Sequence, residues 1–294
     1  MAISATMVKE LRERSGAGMM ECKKALVETD GDIEAAIEHL RKTGAAKAAK
    51  KAGRIAAEGA IVVASNDTEA AMVEVNSETD FAANDASFAV FAELVANAVI
   101  EAAPADVETL RDVVVADGAT IEQKRTDLVA KIGENIDVRR FARMPVGDGR
   151  IESYLHGKRI GVLVAMAGGS AEVARDVAMH IAASNPVCVS EAEVSPDLLA
   201  KEREIRAAQA AQSGKPPEII EKMVAGQIKK FIGEVTLLGQ PFVKNPDETV
   251  GAMLKAAGAT VTGFVRFEVG EGIEKKEVNF AEEVMAQARS AQQG

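Results

Sequence analysis

Twice along this chain an alternating hydrophobic stretch, a polar turn, a second such stretch, a loop and an amphipathic helix follow one another. Side chains alternate faces along a strand, whereas a helix repeats every 3.6 residues, so the change of period separates the two kinds of element. In the first copy, residues 60–64 and 69–76 read as strands joined across Ser65, Asn66 and Asp67. The helix that follows begins near Asp85, sets Phe88, Phe91, Leu94, Val95, Ala98 and Val99 on one face, and ends at Pro104. The second copy opens with a strand at 138–144 and continues with a hairpin of 150–155 and 160–167 across His156, Gly157, Lys158 and Arg159. A helix capped by Ser170 covers 171–183, and 186–189 returns as a strand. Two units of this kind predict an α+β chain with two related α/β core subdomains, products of a diverged internal duplication.

Other elements flank these units. Residues 1–54 read as a three-helix docking module. Val8 and Leu11 share the first helical face, Ser15 to Gly18 break it, and 19–28 carry the next helix with Cys22, Ala25 and Leu26 inward. Asp32 caps the third helix, where Ile33, Ile37 and Leu40 recur at helical spacing, and Gly44 fits as its C-cap. The Ala- and Lys-rich residues 45–54 then read as a connector. The subdomains span 55–140, and 141–194 with 231–269. Within the first, short helices are expected at 107–115 and at 121–132 behind a Thr120 cap. Residues 195–230 read helix, break, helix, with Pro196 in a first turn and Gly214, Lys215, Pro216 and Pro217 as the break. The first arm has few large apolar residues, so an exposed, projecting helical hairpin fits best. Residues 250–257 read as helix, and 261–269 alternate and add a strand to the second sheet. A short C-terminal helical module at 270–294 holds a helix at 279–288 with Phe280, Val284 and Met285.

Composition narrows the function. A formal net charge of −10 argues against a chain built mainly to clamp nucleic acid. The one basic run, Lys42, Lys47, Lys50, Lys51 and Arg54, reads first as a solvated helical face. With no Trp and only Tyr154, stacking platforms for single strands are not expected either. Cys22 and Cys188 have no nearby partner for a disulfide or a metal and suit a reducing cytosol. No apolar run reaches membrane-spanning length and the N-terminus lacks signal-peptide regions, so a cytoplasmic protein is expected. No phosphate-loop or dinucleotide fingerprint is present, since Gly157-Lys158 and Gly214-Lys215 lack the upstream glycine and the following Ser or Thr. His39, His156 and His180 are scattered and form no acid–base cluster. No catalytic residue, metal ligand or cofactor is assigned, and the chain is not expected to be an enzyme.

What remains is a surface that presents itself to a partner. The turn Asn76-Ser77-Glu78-Thr79-Asp80-Phe81 closes a strand and sets an aromatic ring beside a carboxylate. On composition alone Thr79 or Asp80 is a helix cap and Phe81 a core residue, because aromatics are usually inside. Met19 and Met20 are similarly two-sided: one faces the module's own core, and the other is free for docking.

This turn, with Val8-Lys9-Glu10-Leu11-Arg12 and the run from Gly16 to Leu26, resembles the elongation factor Ts family from about Ala2 to Arg289. The resemblance implies a ubiquitin-associated-like head and guanine-nucleotide exchange on the GTPase elongation factor Tu. It implies that Thr79, Asp80, Phe81 and Ala82 enter the GTPase near its magnesium and loosen metal and phosphate contacts, with Ala82 standing where valine is common. It implies docking through Met19, Met20 and Lys23, and it allows a dimer contact through the helical hairpin. Two rival readings differ in class. One is a translation-associated adaptor binding RNA through the basic linker, against which the acidic balance weighs. The other is a small hydrolase, opposed by the missing catalytic constellation.

Overall fold

The computed structural model describes residues 3–274, and the helix expected at 279–288 lies outside them. The N-terminal helices are α1 (Ala5–Ser15), α2 (Met19–Glu28) and α3 (Ile33–Lys51). Ser4 caps α1, left-handed Gly16 ends it, and the Asp32 side chain accepts the Ala35 N–H to start α3. Val8, Leu11, Cys22, Ala25, Leu26 and Ala36 form their small core.

Gly44 is not a C-cap: α3 runs past it to Lys51, so most of the stretch read as a connector, 45–54, is a continuation of the third helix. Alanine has the highest helix propensity, and nothing at Gly44 stops a chain that packs on one side. Here the glycine serves contact: a Cβ at 44 would lie 3.4 Å from that of Ala130, on the helix that α3 crosses.

The first unit comprises β1 (Glu58–Ser65), β2 (Glu69–Ser77), α4 (Asp80–Ala83), α5 (Ala86–Ala102), α6 (Val107–Arg111), α7 (Ile121–Ile132) and β3 (Ile136–Pro145). Asp85 caps α5, and a full capping box of Thr120 with Gln123 starts α7. α6 ends at Arg111, earlier than its apolar pattern suggests, and Val114 then bridges to Thr120. The strand at 136–145 does not open a second copy. It pairs with β2 and completes an antiparallel sheet in the order β1-β2-β3.

The second unit holds β4 (Arg150–His156), β5 (Ile160–Gly168) and α8 (Ala171–Ser184). The helical hairpin α9 (Pro196–Ala211) and α10 (Pro217–Val235) follows, then β6 (Pro241–Phe242), β7 (Asn245–Thr249), α11 (Val250–Ala256) and β8 (Ala259–Glu268). Its sheet runs β4-β5-β8, so both units share one plan: a hairpin, a helix, and a third strand beside the second. Residues 186–189 form no strand. Cys188 makes a single parallel bridge to Thr236, because β8 already occupies the free side of β5.

The layers follow from the strand alternation. Ala71, Val73 and Val75 of β2 pack on α5 through Phe88, Phe91 and Val95. The opposite face, with Ala70 and Met72, meets Leu163 and Phe267 of the second sheet. Val162, Val164 and Met166 then face α8. The order is helices, sheet, sheet, helices. Gly161 permits the close approach: a Cβ there would lie 2.5 Å from Ile61 Cγ2 and 2.7 Å from Met72 Sδ. With both faces covered, β2 is buried from Ala70 to Ser77, Glu74 and Asn76 included.

Candidate functional site

The turn after β2 is built from polar contacts, some within the turn and some from distant residues. Thr79 adopts extended backbone and its side chain accepts the Ala82 N–H at 3.2 Å, capping α4. α4 is one turn, from Asp80 to Ala83. Asn84 closes it, its backbone and side-chain N–H groups both donating to the Asp80 carbonyl, at 3.0 and 2.9 Å. Asp85 then caps α5 by accepting the Ser87 N–H at 2.7 Å. The side-chain and backbone donors of Ser87 hold the Asp85 carboxyl below the usual range.

Two carboxylates fasten this turn to the start of β3. Glu134 accepts the Thr79 N–H at 2.9 Å and the Thr79 hydroxyl at 2.7 Å. Glu78 in return accepts the Asn135 N–H at 2.6 Å, and Arg54 pairs with Glu78 at 3.3 Å. From the second unit, Lys158 donates to Asn84 Oδ1 at 3.2 Å.

The result is an aromatic ring held in solvent. Phe81 is 84% exposed and Asp80 is exposed beside it. Ala82, expected on the presenting surface, is instead only 4% exposed. Ala83 is buried with it, so α4 turns Asp80 and Phe81 to solvent and Ala82 and Ala83 to the interior. A valine methyl at 82 would therefore meet the interior.

Both members of the methionine pair are exposed, Met19 at 59% and Met20 at 75%, so neither fills the head's core. Ala17, in the loop before α2, packs against that core ahead of Met19. Lys23 is exposed as well. Sequence reasoning passed over Val27, 58% exposed, although its spacing of seven from Met20 places both on one face of α2.

Other candidates resolve into local structure. His180 is buried, its Nε2–H donating to Gln240 Oε1 at 2.9 Å and its Nδ1 accepting the Val243 N–H at 3.2 Å. His39 pairs with Glu28 at 2.8 Å, and His156 Nδ1 lies 3.3 Å from the Tyr154 hydroxyl. The basic run is largely engaged: Lys42 with Glu38 at 2.7 Å, Lys47 with Glu21, Lys51 with the Gly133 carbonyl, and Arg54 with Glu78. Among the described residues no helix is long and apolar enough to cross a membrane.

Known proteins match along the whole chain. The family profile described as Elongation factor TS matches residues 78–271, beginning within the turn that carries Phe81. Elongation factor Ts of Thioalkalivibrio sulfidiphilus (strain HL-EbGR7) is 65% identical over 294 residues, covering 99% of this chain and 100% of that protein. The protein of the same name from Methylococcus capsulatus (strain ATCC 33009 / NCIMB 11132 / Bath) is 60% identical over 293 residues, with 99% and 100% covered. That from Legionella pneumophila (strain Paris) is 58% identical over 290 residues, with 98% and 99% covered. A match of this extent, over a fold whose clamped turn falls inside the matched region, shows that the chain belongs to the elongation factor Ts family of translation elongation factors.

Proposed function

We propose that this protein is a cytoplasmic guanine-nucleotide exchange factor acting on elongation factor Tu. The observation that carries the reading is Phe81, 84% exposed yet fixed on a capped and clamped helical turn. Holding a large apolar ring in water has no use to the fold, and an aromatic of this kind is the usual anchor of an interface. The head docks on the GTPase through Met19, Met20, Lys23 and Val27, an exposed face with two flexible thioethers. Phe81 then enters near the magnesium and phosphate site with Asp80 beside it, and the metal and phosphate contacts loosen.

No bond is made or broken in this scheme. GDP and the exchange factor each weaken the other's hold on the GTPase, by the same factor in both directions. The arm of α9 and α10 serves as a dimer contact. The RNA-binding adaptor is not favoured, because Lys42, Lys47 and Lys51 of its basic run are paired with carboxylates and a carbonyl of the same chain and the net charge is −10. The test is stopped-flow release of fluorescent GDP from elongation factor Tu, with and without the protein. Release that stays at the unassisted rate at saturating protein would sink the proposal.

A further inference from the structure

We propose, resting on the exchange reading of Phe81, that Glu134 is a positioning residue for exchange. Its carboxylate fixes the direction in which the Phe81 ring is presented. Glu134 lies in the loop between α7 and β3, 55 residues from Thr79. One carboxylate oxygen accepts the Thr79 N–H at 2.9 Å, and the other accepts the Thr79 hydroxyl at 2.7 Å. Both bonds are charge-assisted, and together they fix the backbone and the rotamer of one residue.

That residue is the cap of α4. The oxygen whose hydrogen points to Glu134 also accepts the Ala82 N–H at 3.2 Å. Its donor side is thus committed to Glu134 and its acceptor side to the helix. The neighbouring pair repeats the device in reverse, with the Glu78 carboxylate accepting the Asn135 N–H at 2.6 Å. A four-residue turn lies far below the length at which a helix holds itself together, so α4 depends on these outside contacts. Without the Glu134 carboxylate, Thr79 regains other rotamers and α4 frays. The ring then points in many directions, of which one is productive. Capture through α2 is untouched, so the loss falls on the rate at saturation.

The experiment is release of fluorescent GDP from the GTPase over a range of full-length exchange-factor concentrations. The variants are Phe81→Ala, Glu134→Ala, Glu134→Gln and the double Phe81→Ala/Glu134→Ala. Glu134→Ala is expected to lower the saturating rate about tenfold while the half-saturating concentration moves by less than about twofold. Glu134→Gln is expected to recover most of the rate, because its amide oxygen still accepts one Thr79 bond. The double variant is expected to match Phe81→Ala alone, since Glu134 acts only through the ring. A wild-type rate for Glu134→Ala beside a slow Phe81→Ala overturns the inference. So does a Glu134→Ala loss that adds in full to that of Phe81→Ala, which would mark general damage to the fold. A wild-type rate for Phe81→Ala itself overturns the exchange reading, and this inference with it.

Discussion

The guanidinium of Arg140, on the first sheet, lies 4.2 Å from the centre of the Phe267 ring, on the second. The same side chain donates from Nε to the buried Glu74 at 2.6 Å and from Nη2 to the Glu268 carbonyl at 3.2 Å. Glu74 also accepts from Arg139 at 3.0 Å and from the Gly270 N–H, beyond the end of β8, at 2.8 Å. One ion cluster therefore pins the two sheets together at the edge of an otherwise apolar interface.

Glu74→Ala should remove the buried acceptor shared by Arg139, Arg140 and the Gly270 N–H, and losing such charge-assisted bonds costs about 1.5–3 kcal/mol, since Arg140 keeps Glu271 and the Glu268 carbonyl. Urea unfolding at neutral pH measures it. Acid should act through the same group. Burial pushes the Glu74 carboxyl up, but the Gly270 N–H, Arg140 and Arg139 together hold it below the usual range. Its stabilisation is complete above the ordinary glutamate value of about 4.3 and is lost as pH falls through the lower folded value. Wild type should lose more stability than Glu74→Gln on acidification. Parallel losses would show that Glu74 does not carry the effect.

Phe81→Ala should leave the melting temperature near that of wild type, since the ring is 84% exposed. An interface anchor contributes about 2 kcal/mol, so stimulated GDP release should fall about 30-fold. Thermal melting followed by circular dichroism, beside stopped-flow release, checks both halves of this expectation.

Gly161→Ala should destabilise by about 1–3 kcal/mol, because the added methyl meets Ile61 and Met72 between the sheets. A neutral effect in chemical denaturation would mean that the sheets are less closely apposed than these contacts require.

His180 should titrate below the ordinary histidine value, since burial pushes its imidazole down and only the Gln240 bond acts against that. Protonation would set a hydrogen on Nδ1 against the Val243 N–H. The neutral ring's stabilisation is thus complete above about pH 6.5 and is lost as pH falls through the depressed value. Ring proton shifts followed by NMR give the midpoint, and a midpoint above 6.5 is the contrary result.

Replacing residues 197–227 with a short Gly/Ser closure should leave the fold and most of the exchange activity intact. The excision stops before Ile228, the residue of α10 that is buried. Failure to fold would show that the arm supports the body, and loss of exchange in a folded protein would make it part of the working surface.

Local signals were easy to read in advance. Asp32, Thr120 and Ser170 each cap a helix, and a cap needs only the next three residues. Misreadings arose where a distant element decides. Gly44 has the look of a helix stop until α7 passes beside it. The strand at 136–145 could not be assigned to a sheet from its own alternation, because pairing with β2 is a long-range choice. Phe81 was open between core and surface for the same reason. What turns it outward is Thr79, held by Glu134, and no periodicity relates residues 55 positions apart. Ala82 goes the other way, buried with Ala83 while Asp80 and Phe81 face out, and the motif alone does not tell the two pairs apart.

The closed turn of α4 also sets the entropy of any encounter. A loop that orders on contact gives up about 1–2 kcal/mol of backbone freedom per residue at that moment. Here Thr79 to Asn84 are already bonded in the free protein, so that loss has been absorbed in folding. Burial of Phe81 then restricts little beyond the two torsions of its own side chain, and most of the contact energy is left to act on whatever surface receives the ring.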